Sequence, residues 1–89
     1  MEIGMLWYDN DPNLDLGEKV KNAADYYQRK YRQHPNLCFV HPSMIPDFRT
    51  QAGAITVCSN KAIQPHHFWI GFVLQDHHEK EQMGEASGS

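Results

Sequence analysis

The chain has 89 residues, 40% hydrophobic and 11% aromatic, with a formal net charge of −3 and a pI near 6.0. This composition excludes a disordered chain and is enough for one small packed core, in which a domain of this size buries only ~60–65% of the surface its unfolded chain exposes. The acidic balance argues against a sequence-independent grip on nucleic acid, which needs a basic surface to displace counterions.

Residues 3–8 read as a strand, stopped by Asp9, Asn10, Asp11 and Pro12, a cluster that favours a turn. Asp15 and Glu18 have the capping-box spacing, in which the Asp carboxylate accepts a first-turn amide and the Glu side chain reaches back. A helix starts there. Leu16, Val20, Ala23, Ala24, Tyr27 and Tyr31 recur at the spacing of one buried stripe. An Asp at Val20 or at Ala24 is therefore expected to unfold the domain, by placing an unpaired charge in the core. Pro35 ends the helix, because the residue before a proline is pushed out of the helical region. Lys19, Lys21, Arg29, Lys30 and Arg32 fall on or near the polar side, interleaved with Glu18 and Asp25, and read as solvated charges.

Residues 37–41 form a second strand, rich in β-formers and stopped by Pro42. Strand, helix, strand is the βαβ pattern, which sets the first two strands parallel. Residues 43–51 are ambiguous; the helical option is a short turn capped by Ser43 through Met44, Ile45 and Phe48, with Pro46 confined to its first turn and Gly53 ending the segment. Residues 54–58 read as a third strand, and residues 66–74 as a fourth, with Phe68, Ile70, Phe72 and Leu74 on one face and His67, Trp69, Gly71 and Val73 on the other. The expected fold is a small α/β sandwich bordering on α+β, in the order β-α-β-(short helix)-β-β. It has a mixed sheet of about four strands and the main helix on one face. Residues 1–75 make the domain, and residues 76–89, too polar to order themselves, a disordered tail.

One helix covers one face of a sheet, so the other face needs a partner. If Leu37 and Phe39 face the helix with Met5, Trp7, Phe68 and Ile70, the opposite side shows Leu6, Tyr8, Cys38, Val40, Trp69 and Val73. An exposed apolar patch of that extent marks an interface. Leu6, Tyr8, Val40, Trp69 and Val73 are thus the expected contact residues, with Trp69 as anchor. The expected function is a non-enzymatic interaction or assembly module, a homodimer or one bound to a protein partner. Residues 44–48 or the tail are the segments that would otherwise cover this face.

A different reading places chemistry at the strand ends. Ligands of parallel βαβ units bind beyond the carboxyl ends of the strands. Here those ends carry Asp9 and Asp11 after the first strand, His41 and Ser43 after the second, and His66 only if the last strand runs antiparallel to both. His41 would act as base with Asp9 orienting it and Ser43 beside it, while Asp11 held a cation or polar substrate. The same residues serve equally well as Asx turns and caps. No cofactor and no metal site is expected, since neither HExxH nor paired Cys/His spacing occurs. His77 and His78 would bind a metal only adventitiously. Cys38 and Cys58 lie in strand-like runs and read as buried thiols of a reducing compartment. No secretory signal or membrane-length apolar stretch appears, so the expected location is cytoplasmic, off the membrane.

The string Leu6-Trp7-Tyr8-Asp9-Asn10-Asp11-Pro12, with Cys38-Phe39-Val40-His41-Pro42-Ser43 and His66-His67-Phe68-Trp69-Ile70-Gly71, resembles short hypothetical proteins of bacteria and carries no residue role with it. The second half is also similar in topology to part of the axial domain of tailed-phage capsid proteins, over less than half the chain. That resemblance would imply a place in a phage or mobile-element assembly.

Overall fold

Alternating apolar runs pair into one five-stranded mixed sheet, and α1 lies across one of its faces. In the computed structural model, which describes residues 3–74, the elements are β1 (Ile3–Tyr8), α1 (Leu16–Tyr31), β2 (Leu37–Val40), a 3-10 turn (Pro42–Met44), β3 (Arg49–Ala52), β4 (Ile55–Ser59) and β5 (His67–Phe72). The strand order is β1-β5-β2-β4-β3. β5 runs antiparallel to β1 and β2, β4 parallel to β2, and β3 antiparallel to β4. This is a small α+β domain with one main helix, as expected, and with one strand more. The tail expected over residues 76–89, with His77 and His78, lies outside the described residues. No helix among the described residues is long and apolar enough to cross a membrane.

The capping box forms as the spacing predicts: Asp15 Oδ1 accepts from Glu18 N at 2.8 Å and Glu18 Oε1 from Asp15 N at 3.0 Å. Two first-turn amides that would otherwise lack partners are satisfied, which contributes about 1 kcal/mol. Arg32, left-handed at φ 58, closes the helix by donating its N–H to Gln28 O. Val20, Ala23 and Tyr27 are buried against Cys38, Val40, Val57, Phe68 and Ile70, and Leu16, Ala24 and Tyr31 border that core. The Tyr27 hydroxyl accepts from Phe72 N at 3.2 Å, tying helix to sheet. Lys19, placed on the polar side by its spacing, is buried.

Two expectations are corrected. In the ambiguous segment the turn begins at Pro42 and its cap is His41, whose Nδ1 accepts from Ser43 N, rather than Ser43. The chain then forms β3 and a hairpin to β4 through Gly53 and Ala54, with Gly53 at φ 62 in the first loop position. A two-residue loop with glycine first is the II′ turn that suits strand twist. β3 is an exposed edge strand with little apolar alternation, which is why its sequence shows no strand signal.

The second correction concerns the facing of β2. Cys38 and Val40 pair with Ile70 and Phe68 and are fully buried under the helix, so Val40 is not an interface residue. Leu37 and Phe39 take the outer face. All four residues of β2 are apolar, so no polar side chain marks the solvent side, and the register with β5 decides.

Candidate functional site

β1, β2 and β4 end, and β5 begins, at one edge of the sheet, which brings Asp9, His66 and His41 to neighbouring strands. Asp9 N donates to His66 O at 3.0 Å. The side chains serve local turns. Asp9 Oδ1 accepts from Asp11 N at 3.0 Å and Asp11 Oδ1 from Asn13 N at 2.9 Å, two successive Asx turns leading to the Asp15 cap. His41 Nδ1 accepts from Ser43 N at 3.1 Å and lies 2.8 Å from Ser43 Oγ. A backbone N–H can only donate, so Nδ1 carries no proton in this arrangement. β5 separates the strands of Asp9 and His41, setting their backbones roughly 9–10 Å apart. No hydrogen bond joins these two side chains among the described residues.

His66 is exposed and stands at φ 67 in a turn closed by His67 N donating to Gln64 O at 3.1 Å. With Pro65 before it, this is the type II pattern, in which glycine is the usual third residue. Among the described residues, no three His, Cys, Asp or Glu side chains come close enough to share a metal ion.

Burial pushes the Cys38 thiol up from its ordinary value of 9.0 to about 12, and the neighbouring Cys58 adds to the effect. A thiol so held is no nucleophile at neutral pH. It also makes stability fall in alkali. Above pH 9 the unfolded chain releases the thiol proton while the folded chain keeps it until about 12, so the native state binds more protons and loses stability as pH rises through that window. The loss approaches ~1.4 kcal/mol per pH unit. Urea unfolding at neutral pH and at about pH 10.5 is expected to show a larger alkaline loss for wild type than for Cys38→Ala. Equal losses would refute this placement of Cys38.

The outer sheet face is built around a pair of glycines. Gly4 pairs with Gly71, and the Trp69 indole lies over Gly4, where a β carbon would overlap the ring. Trp69 also packs on Phe39, ring centroids 5.6 Å apart, so the expected anchor is partly packed within its own chain. Leu6 and Tyr8 are the more exposed, at 61% and 56%. Tyr8 leans on His67 at 4.9 Å.

Ile63, from the β4–β5 connection, stands between two hollows of this face. One, of about 480 Å³, is lined by Leu37, Phe39, Trp69 and Val73; the other, of about 310 Å³, by Leu6, Gln64 and His67. Residues 44–48 do not cover the face: Ile45 is buried in the core and Phe48 is 81% exposed. Leu37, Phe39 and Ile63 were not anticipated from sequence. Gly4 carried a signal, since a glycine inside an apolar strand marks close approach of another group.

On the helix side, a cleft of about 410 Å³ separates α1 from the β3–β4 hairpin. Small residues such as Gly17, Ala24, Ala52 and Gly53 create it, and Gln28 lines it. Gln28 Oε1 is buried without a hydrogen-bond partner. Comparison of the chain with protein-family models, curated proteins and solved structures finds no match.

Proposed function

We propose that this protein works by contact, as an assembly module that takes a second copy of the chain on apolar side chains its sheet leaves open. The observation that supports this reading is the outer face, where Leu6, Tyr8, Leu37, Phe39, Trp69 and Val73 leave apolar surface open to solvent. Burying one such side chain contributes ~1.5–3 kcal/mol relative to leaving it exposed, and monomers rarely leave a contiguous patch of this kind uncovered. The strand-end Asp9, Asp11, His41 and Ser43 are engaged in turns and a cap, which favours contact over catalysis.

Sedimentation equilibrium or light scattering across a wide concentration range tests the reading. Wild type is expected to show the mass of two chains. Tyr8→Glu, which puts a charge on the exposed side of the sheet, is expected to weaken association roughly a hundredfold while leaving the thermal melt nearly unchanged. A wild type with the mass of one chain at every concentration would overturn the proposal.

A further inference from the structure

We infer that the second copy is taken up along β1, edge to edge and antiparallel, with Leu6 on the two-fold axis, so that two five-stranded sheets join into one continuous sheet. This rests on the self-association proposed above and places it at the β1 margin of the outer face, where Leu6 and Tyr8 are the most exposed, with Leu37 and Phe39 outside the contact.

β1 is an edge strand, paired only with β5 among the described residues. Asp9 N donates to His66 O, and hydrogen-bonded residues alternate along an antiparallel ladder. Trp7 and Met5, opposite Phe68 and Ile70, therefore bond inward. Gly4, Leu6 and Tyr8 direct their N–H and C=O groups to the open edge.

Sheets protect such edges with charge, proline, bulges or short strands. The opposite edge obeys: β3 has four residues, is exposed and polar, and carries Arg49. β1 does not. It has six residues with no charge and no proline. Large apolar side chains also flank this edge on both faces of the sheet. Leu6 and Tyr8 stand on the outer face, and Tyr26, 37% exposed, leans from α1 onto Trp7 at 5.2 Å on the other. A stable dimer needs roughly 800 Å² from each partner. A bare strand edge does not supply that area, and these three flanking side chains add to it.

The register follows from the same groups. Antiparallel pairing must bring outward residues against outward residues, and Leu6 against Leu6 uses every one of them, since Gly4 then faces Tyr8 of the second copy on both sides. The Trp69 indole already fills the space over Gly4, so the incoming Tyr8 ring meets that indole rather than an empty site. A shift of two residues in either direction leaves an outward group unpaired. Met5 falls opposite Trp7 on the helix side, beneath Tyr26, and charge enters only at the two ends of the seam, where Asp9 falls opposite Ile3.

Hydrogen exchange on the full chain, read residue by residue at a dilute and a concentrated setting, tests this directly. The Leu6 and Tyr8 amides are expected to gain protection of about a hundredfold or more on dimerisation, while Met5 and Trp7 are protected throughout. Two variants give a second measure, and the wild-type exchange decides even if one of them fails to fold. Leu6→Pro removes an outward N–H and spares the inward ladder, so it is expected to give the mass of one chain. Phe39→Lys, on the outer face two strands from the edge, is expected to keep the mass of two. Free exchange of Leu6 and Tyr8 in a dimer would overturn the edge inference, as would a dimer split by Phe39→Lys and not by Leu6→Pro. In both cases self-association itself would stand. A monomeric wild type would overturn both.

Discussion

Val20→Asp is expected to leave no folded protein at room temperature. Val20 is 1% exposed, in the middle of the helical stripe and in the same cluster as Ala23, Tyr27, Phe68 and Ile70. The substitution forfeits ~1.5–3 kcal/mol of burial. It also places a carboxylate in an apolar core, at several kcal/mol more. A domain of this length has ~4–13 kcal/mol of stability in total, and its small core places it toward the low end. Circular dichroism should show the helical signal lost; a cooperative melt near that of wild type would refute the seating of α1 on the sheet. Ala24→Asp, alike in sequence spacing, is expected to stay folded with a loss of ~1–2 kcal/mol. Ala24 is half-buried on the wall of the cleft, where a carboxylate reaches water.

Gly4→Val is expected to destabilise the domain by ~2 kcal/mol, about 8–16 °C in Tm, and to expel the Trp69 indole. Strand propensity by itself gives the opposite sign, because valine is favoured over glycine in a strand by up to ~1 kcal/mol. The contact decides. A β carbon on Gly4 overlaps the indole, so the ring must leave its place beside Phe39. Tryptophan emission should shift to the red as Trp69 meets water. In a Trp69→Ala background the same Gly4→Val change is expected to be neutral or stabilising, since nothing remains to displace. A stabilised single variant with unchanged emission would refute the packing of Trp69 over Gly4.

Self-association adds weight to Gly4. In the edge-to-edge register Tyr8 of the second copy falls opposite Gly4 and against the Trp69 indole, so Gly4→Val, which expels that indole, is expected to weaken the dimer. Because it disturbs both the fold and the seam, it cannot replace Leu6→Pro as a test of the edge.

The sequence by itself determined the parts of this protein that depend on neighbouring residues. The Asp15–Glu18 box, the stripe from Leu16 to Tyr31, and the alternation of residues 68–73 are local signals, set by backbone dihedrals, caps and side-chain period, whereas the helix ends at the left-handed Arg32, ahead of the stop expected at Pro35. They were enough to define a helix on one face of a mixed sheet and to place Leu6, Tyr8, Trp69 and Val73 on the side away from it. They were silent wherever the choice belonged to a partner strand. Whether Val40 or Phe39 faces the helix could not be read from an all-apolar run; pairing with β5, some thirty residues along the chain, settled it. β3 emerged from residues without apolar alternation because an exposed edge strand needs little burial. β5 lies between β1 and β2, and only that insertion gives β1 its open edge and brings Trp69 over Gly4. Such contacts join residues far apart in sequence, and it is the packing of the whole sheet that selects them.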